Sequence, residues 1–290
     1  MQGLTVQCQK MSDLTPGRPV RIASGVQRLV APNASMMTGP GTNTYLLGDP
    51  PFAVIDPGPD DEQHLAAIKR AAPHLELIFV THTHSDHSSG VKPLAAETGA
   101  TIVGRTPPKD GRQDETFAPH LQPHRDQCFP LAFGMLRAID TPGHASNHIC
   151  YFYDDESLLF TGDHVLEGVT PVIIPPDGDM AAYVESLRRL KSYAPEAIAP
   201  GHGHVIQRPI QAIDQLIAHR EKREAKVAAV LRGAGEGTLD TLLPLVYDDV
   251  RPELHKIARL TLEAHLIKLT REGRCVHEGD IWRDRSSKHG

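Results

Sequence analysis

The sequence predicts an α/β (α+β) chain: a larger mixed unit over residues 1–207 and a small, mostly helical unit over 208–290. Three observations predict it. Apolar runs of strand length, each bounded by Gly, Pro or Asp, recur through the first two thirds of the chain. Segments with apolar residues at helical spacing fall between them. After Pro209 the strand-like runs stop and helical periodicity takes over, closing on a short hairpin pattern. A length of 290 residues suits one large domain or a domain of about 200 residues with a small partner. Hydrophobic residues at 40% and charged residues at 23% match ordinary globular usage, so a disordered chain is excluded.

The strand-like runs come first: TNTYLLG (42–48), FAVIDPG (52–58), LELIFVTH (75–82) and TIVG (101–104). Between the second and third, Leu65, Ile68 and Ala72 follow Asp60, an expected N-cap, so 61–72 reads as a helix. A shorter helix is expected at 91–98. Residues 106–127 show no period and many breakers, and a loop of that length in a compact domain is often functional. Two more strand-like stretches follow, FGMLRAIDTPG and HICYFYDDESLLFTGD, the second turning at Asp154, Asp155 and Glu156. Met180, Tyr183, Val184, Leu187 and Leu190 mark a helical face, and EAIAPGHG is a last strand running into a loop. Beyond Pro209, Ile210, Ile213 and Ile217 begin a helix whose middle, HREKREAK, is almost wholly charged, as in a solvent-bridging connector. Helices near 239–247 and 253–271 and a hairpin-like CVHEGDIWRD complete a winged helix-turn-helix pattern.

The N-terminus lacks a basic segment followed by an apolar core, and no apolar run reaches the roughly 18 residues that span a bilayer. A cytoplasmic chain without membrane partners is the expectation. Cys8, Cys128, Cys150 and Cys275 form no C-x-x-C pair, so neither a thiolate metal site nor a redox motif is indicated. Residues 1–219 carry 16 Lys and Arg against 24 Asp and Glu, a balance of −8, whereas 220–290 carry 14 against 12, a balance of +2. The asymmetry fits a separate C-terminal module.

Histidine, at 17 residues, is abundant and clustered. In VTHTHSDHSSG, His82 and His84 stand two apart, so a strand end aims both at one point, while Asp86 and His87 point elsewhere. That spacing supports two adjacent metal positions more naturally than one. A metal site open to water needs three protein ligands, which this cluster alone cannot give twice. Three later strand ends supply the rest: His144 in DTPGHAS, Asp163 in LLFTGDHV and His202 in IAPGHG.

In this order and spacing, THTHSDH, TPGHASNHICYF, FTGD and PGHG resemble the metallo-β-lactamase superfamily over about residues 20–207. The resemblance implies a four-layer αββα sandwich. TPGHASNHICYF is also similar to the corresponding strand of glyoxalase II-type thioesterases. With GPGTNTYLLG and the C-terminal module, the chain resembles the branch of the mitochondrial β-lactamase-like endoribonuclease, which carries a winged helix. The resemblance implies His82, His84 and His144 on one metal, Asp86, His87 and His202 on the second, and Asp163 bridging. It makes Asp86 and His148 the candidate catalytic residues, His148 as proton donor or substrate contact, or else a buried core histidine. His204 is the rival to His202. Asp56 matches an aspartate that orients a ligand histidine, or is a turn residue before Pro57. His164 departs from the small or apolar residue expected there, where it could crowd or tune the second metal.

The chemistry implied is that of a metal-dependent hydrolase. Two divalent ions share a water, bring its pKa toward roughly 7 and generate a bridging hydroxide. Nitrogen and oxygen ligands suit zinc, and manganese or iron would also be accommodated. The site leaves the bond open, so the substrate is a small ester, thioester or lactone, or single-stranded RNA. Loops 33–44, 106–127 and 165–180 are expected to set specificity, with Asn43 and Tyr45 as candidates. Arg251, Lys256, Arg259, Lys268, Arg271 and Arg274 on or beside the long C-terminal helix favour nucleic acid, and the interspersed Glu253, Glu263 and Glu272 favour a solvated face. A homodimer is an allowed assembly. The competing readings are a nucleic-acid-binding regulator with a structural metal and a mono-iron dioxygenase, which would leave His202 and Asp86 without a role.

Overall fold

The structure is a computed structural model that describes residues 11–132 and 134–285. Strands β1 (Val20–Ala23), β2 (Val26–Val30), β3 (Asn43–Gly48) and β4 (Pro51–Ile55) run as an antiparallel meander. Helix α1 (Glu62–Ala71) then crosses over to β5 (Leu77–Phe79), which pairs parallel with β4. The single turn α2 (Ser85–Ser88) and helix α3 (Val91–Thr98) lead to β6 (Thr101–Val103), again parallel. These six strands lie in sequence order in one sheet. The second sheet holds β7 (Cys128–Leu131), β8 (Gly134–Asp140), β9 (Ile149–Tyr153), β10 (Leu158–Gly162) and β11 (Ala197–Pro200), the last two parallel across helix α4 (Met180–Leu190). Parallel neighbours need such helical crossovers, which is why helices collect on the outer faces.

The burial pattern stacks these elements in four layers. Tyr45, Ile55 and Phe79 of the first sheet meet Tyr151, Phe160 and Ala199 of the second, with Tyr45 and Phe160 ring centroids 5.0 Å apart. The alternate residues point outward: Leu46, Val54 and Ile78 against Leu65, Ile68 and Leu94 of α1 and α3. On the far side, Phe152, Leu159 and Ile198 pack against Tyr183 and Leu187 of α4. Both faces of the central strands β3, β9, β10 and β11 are therefore dry, which explains their nearly unbroken apolar runs, whereas the edge strands β1 and β7 stay partly exposed.

Helix α5 (Pro209–Ala234) sends Ile213 and Leu216 into that outer layer, then carries Val227 and Leu231 into a separate core. This second core is completed by α6 (Leu239–Val246), α7 (His255–Arg271) and a small sheet of β12 (Glu236–Gly237), β13 (Cys275–Glu278) and β14 (Ile281–Asp284) in the order β12-β14-β13. The β13–β14 hairpin is the wing.

Three sequence expectations need correction. The cap of α1 is Asp61, whose carboxylate accepts from His64 N at 2.8 Å, so the helix starts one residue later than Asp60 implies. The hairpin β1–β2 has no counterpart among the expected strands. The HREKREAK stretch is not wholly solvated: Arg220 and Arg223 are buried. Arg220 donates to Pro171 O and lies over the Tyr183 ring, while Arg223 donates to Val246 O and both Asp249 oxygens and lies over Tyr247. Cys128 is an exposed free thiol, Cys150 and Cys275 are buried free thiols, and Cys8 lies outside the described residues. No helix among the described residues is long and apolar enough to cross a membrane.

Candidate metal centre

Beyond β5 the chain bends at Thr81 and runs without helix or strand to His84, the extended N-cap position of α2. His82 and His84 therefore project from this short connector, and Asp86 and His87 from the single helical turn that follows. His144 follows β8 in a loop turned by Gly143, Asp163 follows Gly162 at the end of β10, and His202 follows β11. All lie at one end of the two sheets.

His82 Nε2 and His144 Nε2 both face His84 Nδ1, at 2.9 and 3.0 Å. Their outer nitrogens fix the tautomers. Thr81 Oγ1 gives its proton to Asp56 Oδ2 at 2.7 Å, so His82 Nδ1, 3.0 Å from that hydroxyl, must donate. His144 Nδ1 faces the Val172 carbonyl at 2.9 Å and must donate too. Two bare Nε2 lone pairs thus converge on a third nitrogen carrying at most one proton, a donor set that fits a cation. His87 Nδ1 donates to Asp56 Oδ2 at 2.9 Å and His202 Nδ1 to Gly41 O at 3.2 Å, so both aim Nε2 inward.

His87 Nε2 and His202 Nε2 each lie 3.3 Å from Asp163 Oδ1, and 3.4 and 3.3 Å from Asp86 Oδ2. The other Asp163 oxygen, Oδ2, lies 3.8 Å from His144 Nε2. The ligand atoms fall into three triads, each mutually within 4.8 Å: His82, His84 and His144; Asp86, His87 and His202; His82, His87 and Asp163. His87 Nε2 and Asp163 Oδ1 are buried without a hydrogen-bond partner. The residues present fit a metal.

Electrostatics divide the basin. Burial, reinforced by the neighbouring imidazoles, pushes His82 well below the ordinary histidine range and His144 down to about 4, so both stay neutral. Burial also opposes charge on His202, but Asp163 and Asp86 outweigh it and raise the imidazole to about 9. His87 is raised for the same reason. Asp86, against its own burial, is drawn down to about 2, chiefly by His87.

Other expected residues are placed elsewhere. His148 is fully buried, its ring stacked 5.0 Å beneath His82 and its Nδ1 beside Thr141 Oγ1 at 2.9 Å, so it does not line the cavity. His164 is fully buried against the Tyr183 ring at 4.7 Å and belongs to none of the triads, nor does His204. Asn43 and Tyr45 are buried staples donating to Pro200 O, Asn43 to Gly203 O as well. What sequence reasoning missed are the orienting groups: Thr81, and the carbonyls of Gly41 and Val172. Thr81 adjoins His82, but a carbonyl carries no residue signature.

The basin opens into a cavity of about 350 Å³ walled by Met37, Val172 and Ile174 opposite the ligands. A larger groove, about 470 Å³, between residues 166–170 and α5 contains none of these ligands.

Fold and basin define a candidate metalloprotein of the αββα sandwich class, with a winged helix attached. The chain belongs to the metallo-beta-lactamase superfamily, whose family model matches residues 37–202, and residues 238–282 match the beta-lactamase associated winged helix domain. It is 32% identical over 269 residues to the beta-lactamase-like protein 2 homolog of Drosophila melanogaster, covering 88% of this chain and 90% of that one. It is 33% identical over 211 residues to thioesterase pkgB of Emericella nidulans, covering 71% of this chain and 58% of that one. Among solved structures, a metallo-beta-lactamase family protein from Thermus thermophilus superposes with a TM-score of 0.75 at 22% identity, covering 91% and 99% of the two chains. A beta-lactamase domain protein from Burkholderia ambifaria gives 0.77 at 19%, covering 93% and 95%.

Proposed function

We propose that the chain is a dinuclear metallohydrolase acting on a small thioester or related acyl ester. In this reading His82, His84 and His144 hold one divalent ion, Asp86, His87 and His202 hold the second, and Asp163 bridges. The observation that carries it is the division of Asp163: one oxygen faces His87 and His202 while the other faces His144. Nitrogen and oxygen donors of this kind suit zinc. Bound there, the ions would supply Lewis acidity that activates water near neutral pH and stabilises charge on the acyl oxygen.

The reaction joins the oxygen of water to the acyl carbon, breaks the C–S bond and leaves a carboxylic acid and a thiol, the proton passing to the departing sulfur. Asp86 lines the cavity, and in this reading it would relay that proton. His148, sealed beneath His82, positions that ring.

Two further observations favour a small acyl substrate. A relative carries the name thioesterase. The basic residues that would favour RNA are largely tied to carboxylates: Arg259 to Asp240, Lys268 and Arg274 to Glu224 and Glu272, and Arg271 to Asp179. A phosphate would have to displace these carboxylates before it met the charges.

Metal analysis of chelator-free protein, followed by a turnover screen of acyl thioesters, lactones and RNA oligonucleotides on one preparation, tests the reading. We expect two ions per chain and thioester cleavage that Asp163→Ala abolishes. RNA cleavage without thioester cleavage would overturn the substrate assignment, and absence of stoichiometric metal would overturn the mechanism.

A further inference from the structure

We propose that Arg112 recognises a carboxylate carried by the substrate beyond its scissile group, the connecting apolar chain lying against Met37, Val172 and Ile174. The inference rests on the hydrolase reading of the same cavity and names its substrate class.

The cavity is otherwise acidic: Asp86, Asp110, Asp163 and Asp177 all line it. Imidazoles apart, Arg112 is the one cationic side chain on its wall among the described residues. Among those residues, no carboxylate oxygen lies within 4.0 Å of its guanidinium, whereas five of the ten arginines over 208–290 have one. Arg112 is exposed, so water meets its charge until a bound anion takes that place.

The position is built rather than incidental. Arg112 belongs to the long segment between β6 and β7 that has no helix or strand. That segment is nonetheless pinned to the metal motif itself. Asp114 N donates to Thr83 O at 2.7 Å and Thr83 Oγ1 donates to Gln113 Oε1 at 2.9 Å, Thr83 standing between His82 and His84. Gln113 Nε2 reaches Asp177 Oδ2 at 3.3 Å, and Asp177 also receives Ser146 N at 3.0 Å. The guanidinium is held by one bond, Nη1 to Pro175 O at 3.0 Å, on the opposite loop. Of its five N–H donors one is used, which leaves enough for a two-pronged contact with a carboxylate. Arginine's planar fork suits that partner, and a neutral chain end gains only a weaker hydrogen bond from it.

The test uses the full-length, metal-loaded protein and matched N-acetylcysteamine thioesters of adipic acid, with the far end either a free carboxylate or its primary amide. A thioester of 3-mercaptopropionate tells an anion on the thiol side from one on the acyl side. We expect wild type to prefer the free acid on one side, and Arg112→Ala to raise KM for that substrate by about 10-fold or more while changing the amide far less. Arg112→Lys should restore part of the loss, and metal content should be equal in all three proteins. Equal KM for acid and amide, or an equal loss on both in Arg112→Ala, overturns the proposal. Should no thioester be cleaved, the hydrolase reading fails separately, and calorimetric binding of adipate decides: weaker binding by Arg112→Ala upholds the anion site, and equal binding sinks it.

Discussion

Asp56 Oδ2 lies 2.9 Å from His87 Nδ1 and 2.7 Å from Thr81 Oγ1, so one carboxylate orients His87 directly and His82 through a hydroxyl. Asp56 itself sits at a φ of 51°, a conformation its backbone bond to Phe79 O helps to hold. Asp56→Ala removes the acceptor of His87 Nδ1 and the group that orients the Thr81 hydroxyl beside His82. Metal affinity, measured by competition with a chromophoric chelator, should fall by about 10–100-fold. Unchanged affinity would show that the two rings are held by other means.

Gly201 is packed against the ligands. A Cβ there would stand 2.6 Å from Asp163 Oδ1 and 2.7 Å from His87 Cε1. Gly201→Ala should therefore cost about 1–3 kcal/mol of stability by overpacking and displace two ligands. Metal content and thermal melting read both effects, and a variant with wild-type metal content would contradict the packing.

A cation that binds only the folded chain adds stability by mass action, about 2.7 kcal/mol at one hundred times its dissociation constant. For a chain of this size that is roughly 4–5 °C of melting temperature. Adding zinc to chelator-treated protein should give that rise, and the double variant His82→Ala, His84→Ala should show little of it. An equal rise in both would place the ion elsewhere.

Glu224 on α5 bonds Lys268 of α7 and Arg274, with His265 at 3.8 Å. Its burial opposes ionisation, but these partners prevail and hold the carboxyl down at about 2, against an ordinary value of 4.5. A carboxylate depressed in the folded state contributes stability above its unfolded pKa and loses it as pH falls toward the folded one. Glu224→Gln should thus melt below wild type at pH 7, by on the order of 2 kcal/mol, and the gap should narrow between pH 4.5 and 2. A gap independent of pH would remove Glu224 from the acid response.

That the candidate ligands come together was legible because each stands after an apolar run and beside Gly or Pro, or within the dense His82 to His87 cluster. What orients them was not, since the Val172 and Gly41 carbonyls contribute through backbone alone. The buried arginines carried a signal that composition hid. Ile213, Leu216, Arg220, Arg223, Val227 and Leu231 recur at steps of three and four, so both arginines lie on the apolar stripe of α5. Asn43 and Tyr45 read equally as specificity residues or as plain strand-end residues, because a strand end reads the same whether it faces a cavity or a neighbouring backbone.

Because α5 runs unbroken from the outer layer of the sandwich into the C-terminal core, no joint separates the two units. An excision at residue 208 would strip Ile213 and Leu216 from the outer-layer core they share with α4 and leave an oily scar on the remaining piece. Calorimetry of the intact chain should accordingly record one endotherm, the helix acting as a shared spine that neither half can surrender alone.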